Sequence, residues 1–460
     1  MNNFNGFTRK IKNPKILYMY KNIMNSELNK DVTLVNLINK EKNRQRENIE
    51  LIASENFTSK GVISCLGSIL TNKYSEGRPY KRYYGGNEVI DEIESLCEKR
   101  ALEAFHLDKS MWGVNVQPYS GSVANIAAFN GLLSPGDTIM GLDLYSGGHL
   151  SHGFQTPTKK INISSVFYNS VSYTIKEDGY IDYDHIEQII KENIPKLVIC
   201  GGSAYPRDID YNRIRRMCDC YMLADISHIN GFIAHGLMNN PFEVCDVVTT
   251  TTHKTLRGPR SAMIFAKKEN DLYKKINESI FPGVQGGPHN HQIAALAFQL
   301  KEVNTDEYKN YITTVRKNAK YLGERLIELG FDLSTKGTDC HLLLIDLKPF
   351  KISGSKMERV CELANISLNK NTVYGDTSAL SPSGIRIGTS CMTTRNMNED
   401  GWNKLALWLK ECVNICIERQ EKYGKKLKDF NVDIEKDSNI LKLKEEIKIF
   451  AKSLDFYDIQ

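Results

Sequence analysis

Apolar residues recur along this chain at two different periods, and the switches between them outline a fold. From about Asp31, the spacing of Leu34, Leu37 and Ile38, with Glu41 one turn on, predicts a helix. A second helix begins at Asn87, a residue suited to capping, and carries Ile90, Ile93, Leu96, Cys97 and Ala101. Between residues 112 and 268 short apolar runs take over. Those at 138–143, 196–200, 221–225 and 246–249 read as buried strands, with a further candidate at 112–118. Helical stretches separate them at 123–133, 182–193 and 211–220. Alternating strands and helices predict an α/β fold: a mainly parallel sheet with helices on both faces.

Beyond about residue 300 the texture changes. A long amphipathic helix over 306–329, a strand at 341–346 and helices over 355–364 and 399–423 predict a smaller α+β domain packed on the first. The expected organisation is an extension over 1–28, a helical arm over 29–75, a large domain over 76–300 and a small C-terminal domain over 301–460.

Charge alters this picture mainly at the start of the chain. Of the net +5, all is carried by Arg9, Lys10, Lys12, Lys15 and Lys21, within 26 residues that hold no acid; the rest balances 55 basic against 55 acidic residues. A neutral body argues against a nucleic-acid footprint. The basic, acid-free start, interleaved with Phe4, Phe7, Ile11, Ile16, Leu17 and Tyr18, reads as a targeting presequence, with the mitochondrion as destination; a disordered tail on a cytoplasmic protein is the alternative. No apolar stretch approaches the ~18 residues of a membrane helix, so no membrane partner is expected. The 11 cysteines form no C-x-x-C pair, which points to a reducing compartment rather than a disulfide framework or zinc ladder.

Three chemical groups fall at the carboxyl ends of predicted strands, where ligands bind in open α/β sheets. Ser120-Gly121-Ser122 precedes a helix and can present amides and hydroxyls to a phosphate. Asp225 closes one strand, and Lys254 closes the run from Asp246. Each has a plain structural alternative: an N-cap, a helix cap, a solvated amine. Together they make a phosphate cup, an acid for a pyridine nitrogen and an amine for a Schiff base, which is a pyridoxal-phosphate site. His149 and His152, three apart, have metal-ligand spacing, but the sequence offers no further ligand to complete a site, and no metal is expected.

Several segments resemble serine hydroxymethyltransferases of the eukaryotic type. They are 51–56 (LIASEN), 72–77 (NKYSEG), 81–86 (KRYYGG), 113–118 (GVNVQP), 147–153 (GGHLSHG), 247–258 (VVTTTTHKTLRG), 285–289 (QGGPH) and 382–388 (PSGIRIG). The resemblance runs from about residue 30 to about 425 and implies the aspartate-aminotransferase-like fold type I. It further implies that Lys254 holds pyridoxal phosphate, Asp225 pairs with its ring nitrogen, and His149 stacks on the ring. Ser203 and His228 would lie beside the ring oxygen. Ser120, Gly121 and Ser122 would cradle the phosphate, joined by Gly287 of a second subunit. Arg386 would grip the amino-acid carboxylate, with Ser54 and Tyr84 nearby. Glu76 would move a proton between the hydroxymethyl group and tetrahydrofolate, delivered with Tyr74 from the neighbouring subunit. Leu144, Gly148, Leu150 and Asn369 match positions lining the folate pocket. The implied reaction interconverts serine and tetrahydrofolate with glycine and 5,10-methylenetetrahydrofolate, in a homodimer or homotetramer with shared active sites.

The chain departs from the family pattern beside three of these segments. Arg78-Pro79-Tyr80 stands where Tyr-Pro-Gly is usual, Cys340 where Asn is usual, and Thr389-Ser390-Cys391 where Thr-Pro-Ala is usual. Pro79 biases Arg78 to an extended conformation, so residues 76 and 78 are expected on one side, with the guanidinium lowering the Glu76 pKa; an Arg78 directed to solvent or to a partner subunit is the alternative. Two rival functions stay open: a folate-independent aldolase of β-hydroxy amino acids, and a weakly catalytic paralogue kept to bind RNA or another protein.

Overall fold

The apolar runs between 112 and 268 assemble into one seven-stranded sheet. In chain order its strands are β1 (Trp112–Asn115), β2 (Thr138–Leu142), β3 (Asn169–Tyr173), β4 (Leu197–Cys200), β5 (Tyr221–Asp225), β6 (Val247–Thr251) and β7 (Ala262–Lys267). Their order across the sheet is β1-β7-β6-β5-β4-β2-β3. Pairs among β2 to β6 are parallel, whereas β7 runs against both of its neighbours. The computed structural model describes residues 27–378 and 380–456, so the expected targeting extension, up to residue 26, lies outside the described residues.

The principal helices are α1 (Val32–Glu47), α2 (Glu88–Ala104), α3 (Gly121–Leu132), α4 (Asn290–Val303), α5 (Asp306–Glu328), α6 (Glu399–Tyr423) and α7 (Ser438–Ser453). Alternation along the strands feeds both faces of the sheet. Leu197, Ile199, Leu223 and Val247 pack with Ala124, Ala127, Ala128 and Phe129 of α3. Val198, Cys200, Met222, Ala224 and Val248 point into the larger core on the other face. After residue 328 a four-stranded antiparallel sheet forms from β8 (Asp332–Leu333), β9 (Leu342–Asp346), β10 (Asn369–Asn371) and β11 (Gly384–Gly388), in the order β8-β9-β11-β10. It has its own apolar core, to which α6 and α7 contribute Trp402, Leu409, Ile440 and Ile447. Helix α5 belongs to both cores, giving Ile312 and Val315 to one and Leu322 and Leu326 to the other. Among the described residues no helix is long and apolar enough to cross a membrane.

Local differences from the sequence reading have local causes. Strand β3 (Asn-Ser-Val-Ser-Tyr) is an edge strand too polar to register as an apolar run, and β7 follows its neighbour across a turn. The helix read over 211–220 stops at Arg215. Asn87 occupies the position before α2, but its Oδ1 accepts no backbone N–H of the first turn, while its Nδ2 donates to the Tyr84 carbonyl (2.8 Å). In the single chain the apolar face of α1 is uncovered: Leu34, Leu37 and Ile38 are all exposed.

One buried cation ties the two ends of the described chain together. Arg395 is only 1% exposed. Its guanidinium donates to the carbonyls of Arg46 (3.1 Å), Asn48 (3.0 Å) and Asp455 (2.9 Å), and to that of Ala451. These carbonyls lie at the carboxyl ends of α1 and α7, where helices leave acceptors unpaired. Burial pushes the Arg395 pKa down to about 10. Arg395→Met should cost ~3 kcal/mol by stranding these acceptors, read as a lower urea midpoint. Lysine, lacking the five-donor fork, should restore little of it.

Candidate active site

Three groups lie at the carboxyl edge of the central sheet. Ser120 is the residue before α3, and its hydroxyl makes no capping bond; Ser120 and Ser122 are exposed, and Gly121 lies against Thr251 at the end of β6. Asp225 ends β5. Its Oδ2 accepts from Asn125 Nδ2 (2.9 Å) on α3 and from His152 Nε2 (3.1 Å), and its Oδ1 accepts from the Ser227 amide (3.1 Å) and hydroxyl (2.6 Å). Burial alone would raise this carboxyl, but the His152 hydrogen bond, the two histidines and Asn125 outweigh it and hold Asp225 far below the usual carboxylate range. Lys254 sits in the turn three residues beyond the end of β6, not on the strand, and its Nζ donates to Thr251 Oγ1 (3.1 Å). Burial, opposed by Asp225 and aided by Arg386 and Arg260, pushes the amine down to about 8.

His149 and His152 acquire the third residue that the sequence did not reveal. Their ring nitrogens and an Asp225 oxygen lie within 4.8 Å of one another. Both Asp225 oxygens already accept hydrogen bonds, one of them from His152, whereas His149 Nδ1 is partnered by the Ser151 hydroxyl (2.7 Å). Burial pushes His149 down to about 4, so it is a neutral ring.

Across the crevice stands Arg386 on β11. The cleft between, about 350 Å3, is lined by Ser54, Leu144, Gly148, His149, Leu150, Ser203, His228, Lys254 and Arg386, all singled out from the sequence. It is also lined by Lys370, Asn371 and Thr372, which were not. The Arg386 Nε donates to Asn369 Oδ1 (3.1 Å) and one Nη to the Ser203 carbonyl, while burial pushes its pKa down to about 10. Among the described residues no carboxylate pairs with it. His228 is buried, and burial with the Lys254 and Arg386 charges keeps it neutral. It stacks on His341 at 5.5 Å, and the His341 Nε2 lies 2.9 Å from the Ala53 carbonyl. His341, Asn125 and Thr251 were not singled out as site residues, although His341 opens the strand read at 341–346 and Thr251 lies in the 247–258 segment. Asn125 shows in the sequence only as a polar residue among the small apolar residues of α3.

Glu76, Tyr74, Tyr84 and Gly287 gather elsewhere. Tyr74 hydroxyl lies 3.4 Å from Glu76 Oε1, the Tyr74 and Tyr84 rings meet edge to face at 5.5 Å, and the Tyr119 hydroxyl donates to the Gly287 carbonyl (2.6 Å). None of the four lines the Lys254 cleft of its own chain, and the two tyrosines are 55% and 52% exposed. The expected meeting of Arg78 with Glu76 does not occur. The intervening Gly77 has φ +100°, which breaks the alternation that would place residues 76 and 78 on one side. Arg78 turns instead to Glu94 (3.3 Å), Glu98 and the Tyr273 hydroxyl (2.8 Å).

Comparison with known proteins agrees with this geometry. A family model described as serine hydroxymethyltransferase matches residues 28–409. Serine hydroxymethyltransferase 4 of Arabidopsis thaliana is 52% identical over 443 residues, covering 92% of this chain and 94% of its own. The serine hydroxymethyltransferase of Plasmodium falciparum is 51% identical over 431 residues, covering 93% and 98%. A mitochondrial serine hydroxymethyltransferase of Schizosaccharomyces pombe is 49% identical over 449 residues, covering 93% and 92%. With a matching model over most of its length, a parallel-sheet crevice holding an anionic acid and a weakly basic lysine, and relatives at half identity, the chain belongs to the serine hydroxymethyltransferase family.

Proposed function

We propose that this cleft carries out the family's one-carbon transfer through the residues described, and that Arg386, a cation in the cleft without a carboxylate of its own, is the observation that carries the assignment. The reaction interconverts serine and tetrahydrofolate with glycine and 5,10-methylenetetrahydrofolate and depends on pyridoxal phosphate. The residues present fit that cofactor: free amides and hydroxyls at Ser120, Gly121 and Ser122 suit its phosphate, an anion at Asp225 suits a protonated ring nitrogen, and neutral His149 suits a ring face. Bound there, pyridoxal phosphate supplies an electron sink for bonds breaking at the amino-acid α-carbon.

The chain's own groups do the rest. With its pKa near 8, Lys254 has a substantial neutral fraction at physiological pH, as a nucleophilic amine requires. Arg386 takes the substrate carboxylate through its planar fork, held in place by Asn369 and the Ser203 carbonyl. Neutral His228 and Ser203 line the cleft where they would lie beside the cofactor's ring oxygen and the substrate carboxylate. Ser54 stands beside the substrate, and Leu144, Gly148, Leu150 and Asn369 shape the folate side. Glu76, with Tyr74, Tyr84 and Gly287, reaches a cleft only from a partner subunit, so the working unit is at least a homodimer. The exposed face of α1 supplies apolar surface for such an association. The basic start favours a mitochondrial destination, and a mitochondrial and a chloroplastic enzyme stand among the relatives.

Replacing Arg386 by alanine should raise the serine KM, with a loss of ~2–5 kcal/mol of transition-state stabilisation, while cofactor absorbance persists. The same change removes one of the charges that depress Lys254, so in the cofactor-free protein the pH midpoint for acylation of that amine should rise from about 8. An unchanged KM would place the carboxylate elsewhere.

Lys254→Ala and Glu76→Gln should each be inactive in folate-dependent turnover. Co-refolded, they should regain about a quarter of the wild-type sites, because a hybrid dimer holds one intact pair. No recovery would mean that Glu76 serves its own chain.

A reporter fused behind residues 1–28 should enter mitochondria, and a diffuse cytosolic signal would favour the tail reading.

A further inference from the structure

The segment that carries Glu76 is held by an ionic clamp, and the side chain at its centre is one in which this chain departs from its family. Gly77–Arg78 and Lys81–Arg82 form a two-stranded hairpin directly after Glu76. Arg82, 3% exposed, donates to the carbonyls of Ser75 (2.9 Å) and Gly77 (2.7 Å), on either side of Glu76. It also pairs with Asp91 (2.8 Å) and Glu94 (2.6 Å) of α2. Glu94, 1% exposed, accepts from Gln117 (2.7 Å) as well as from Arg78 (3.3 Å). Arg78 completes the set by pairing with Glu98 one turn further along α2 and donating to the Tyr273 hydroxyl, which itself donates to the Val114 carbonyl (3.0 Å) in β1 of the central sheet. A Tyr at position 78 could make no charge pair with two acids. Arg78 thus links the Glu76 hairpin to α2 and, through Tyr273, to β1.

We infer that Arg78 is a positioning residue for Glu76, acting through Glu98. This rests on the proton-transfer reading of Glu76. The clamp has a built-in pH dependence. Burial, opposed by Arg78 and reinforced by Glu94, raises Glu98 to about 7, with Arg82 also opposing. Because the folded pKa lies above the ordinary carboxylate value, the ionised, paired form prevails only above about pH 7 and is lost as pH falls through it. The groups facing Glu98 are Arg78 and Arg82 from the hairpin, Tyr273 from the helix Leu272–Glu278, and Glu94 and Cys97 from its own helix.

Four proteins test this: wild type, Arg78→Met, Glu98→Gln and Glu76→Gln, each as holoenzyme, checked for cofactor absorbance and assayed between pH 6 and 9. Folate-dependent serine cleavage is read against folate-independent cleavage of β-phenylserine. At pH 8 Arg78→Met and the near-isosteric Glu98→Gln should each lower folate-dependent kcat by about tenfold, with serine KM and β-phenylserine cleavage unchanged. The deficit of Glu98→Gln against wild type should shrink as pH falls through about 7. If Arg78→Met does not fold, Glu98→Gln carries the test. Equal loss in both reactions, or a deficit that does not vary with pH, overturns the positioning role. Wild-type behaviour of both clamp variants while Glu76→Gln is inactive overturns this inference alone. Full folate-dependent activity in Glu76→Gln removes the reading on which it rests.

Discussion

The register of β4, β5 and β6 is the constraint on which the site depends. Ala224 lies level with Cys200 on one side and Val248 on the other, and Asp225 is level with Thr249. Three parallel strands therefore end within three residues of one level, and their ends and the segments leaving them carry Ser203, Asp225 and Lys254 to the same edge of the sheet. Side-chain alternation makes the register strict: a slip of one residue would exchange the faces of each strand and drive Asp225 away from its partners. The same acid joins the sheet to the Ser120-Gly121-Ser122 turn, since Asn125, which donates to Asp225, lies on the helix that starts just after Ser120.

Burial then sets the chemistry. Within one crevice it weakens two bases and leaves an acid strong, because each group meets different neighbours. Lys254 and Arg386 both lose solvation, and the Arg386 charge weakens Lys254 further, so both hold their protons less tightly. His149, His228 and His341 become neutral for the same reason. Asp225 would also be pushed towards neutrality, but four hydrogen bonds to its carboxylate keep it anionic. One environment thus delivers an amine with a neutral fraction, a fixed anion and a carboxylate receptor.

The remaining chemistry is displaced from this crevice. Glu76 is half-buried beside two exposed tyrosines, its flanking backbone is fixed by the buried Arg82, and it does not line the Lys254 cleft of the same chain. A fixed acid flanked by aromatic rings outside that cleft suits a site completed by association.

The linear sequence determined the elements whose signals are local. Short apolar runs located five of the seven central strands and period-3.6 patterns the long helices, and glycine, serine and strand-end positions singled out Ser120, Gly121, Ser122, Asp225 and Lys254. The motif blocks singled out Arg386 and Glu76, which periodicity could not. Tertiary structure decided whatever depends on partners distant in the chain: that Asn125 and His152 hold Asp225, that His341 backs His228, that Lys370, Asn371 and Thr372 line the cleft, and that Arg395 joins both ends. It also overturned the expected pairing of Arg78 with Glu76. That expectation assumed regular alternation across residues 76–78, and a left-handed glycine between them rotates the chain so that the nearest acids belong to α2. Backbone turns and long-range packing choose among the contacts that a sequence permits, because a side chain's neighbours are set by where its backbone points after folding.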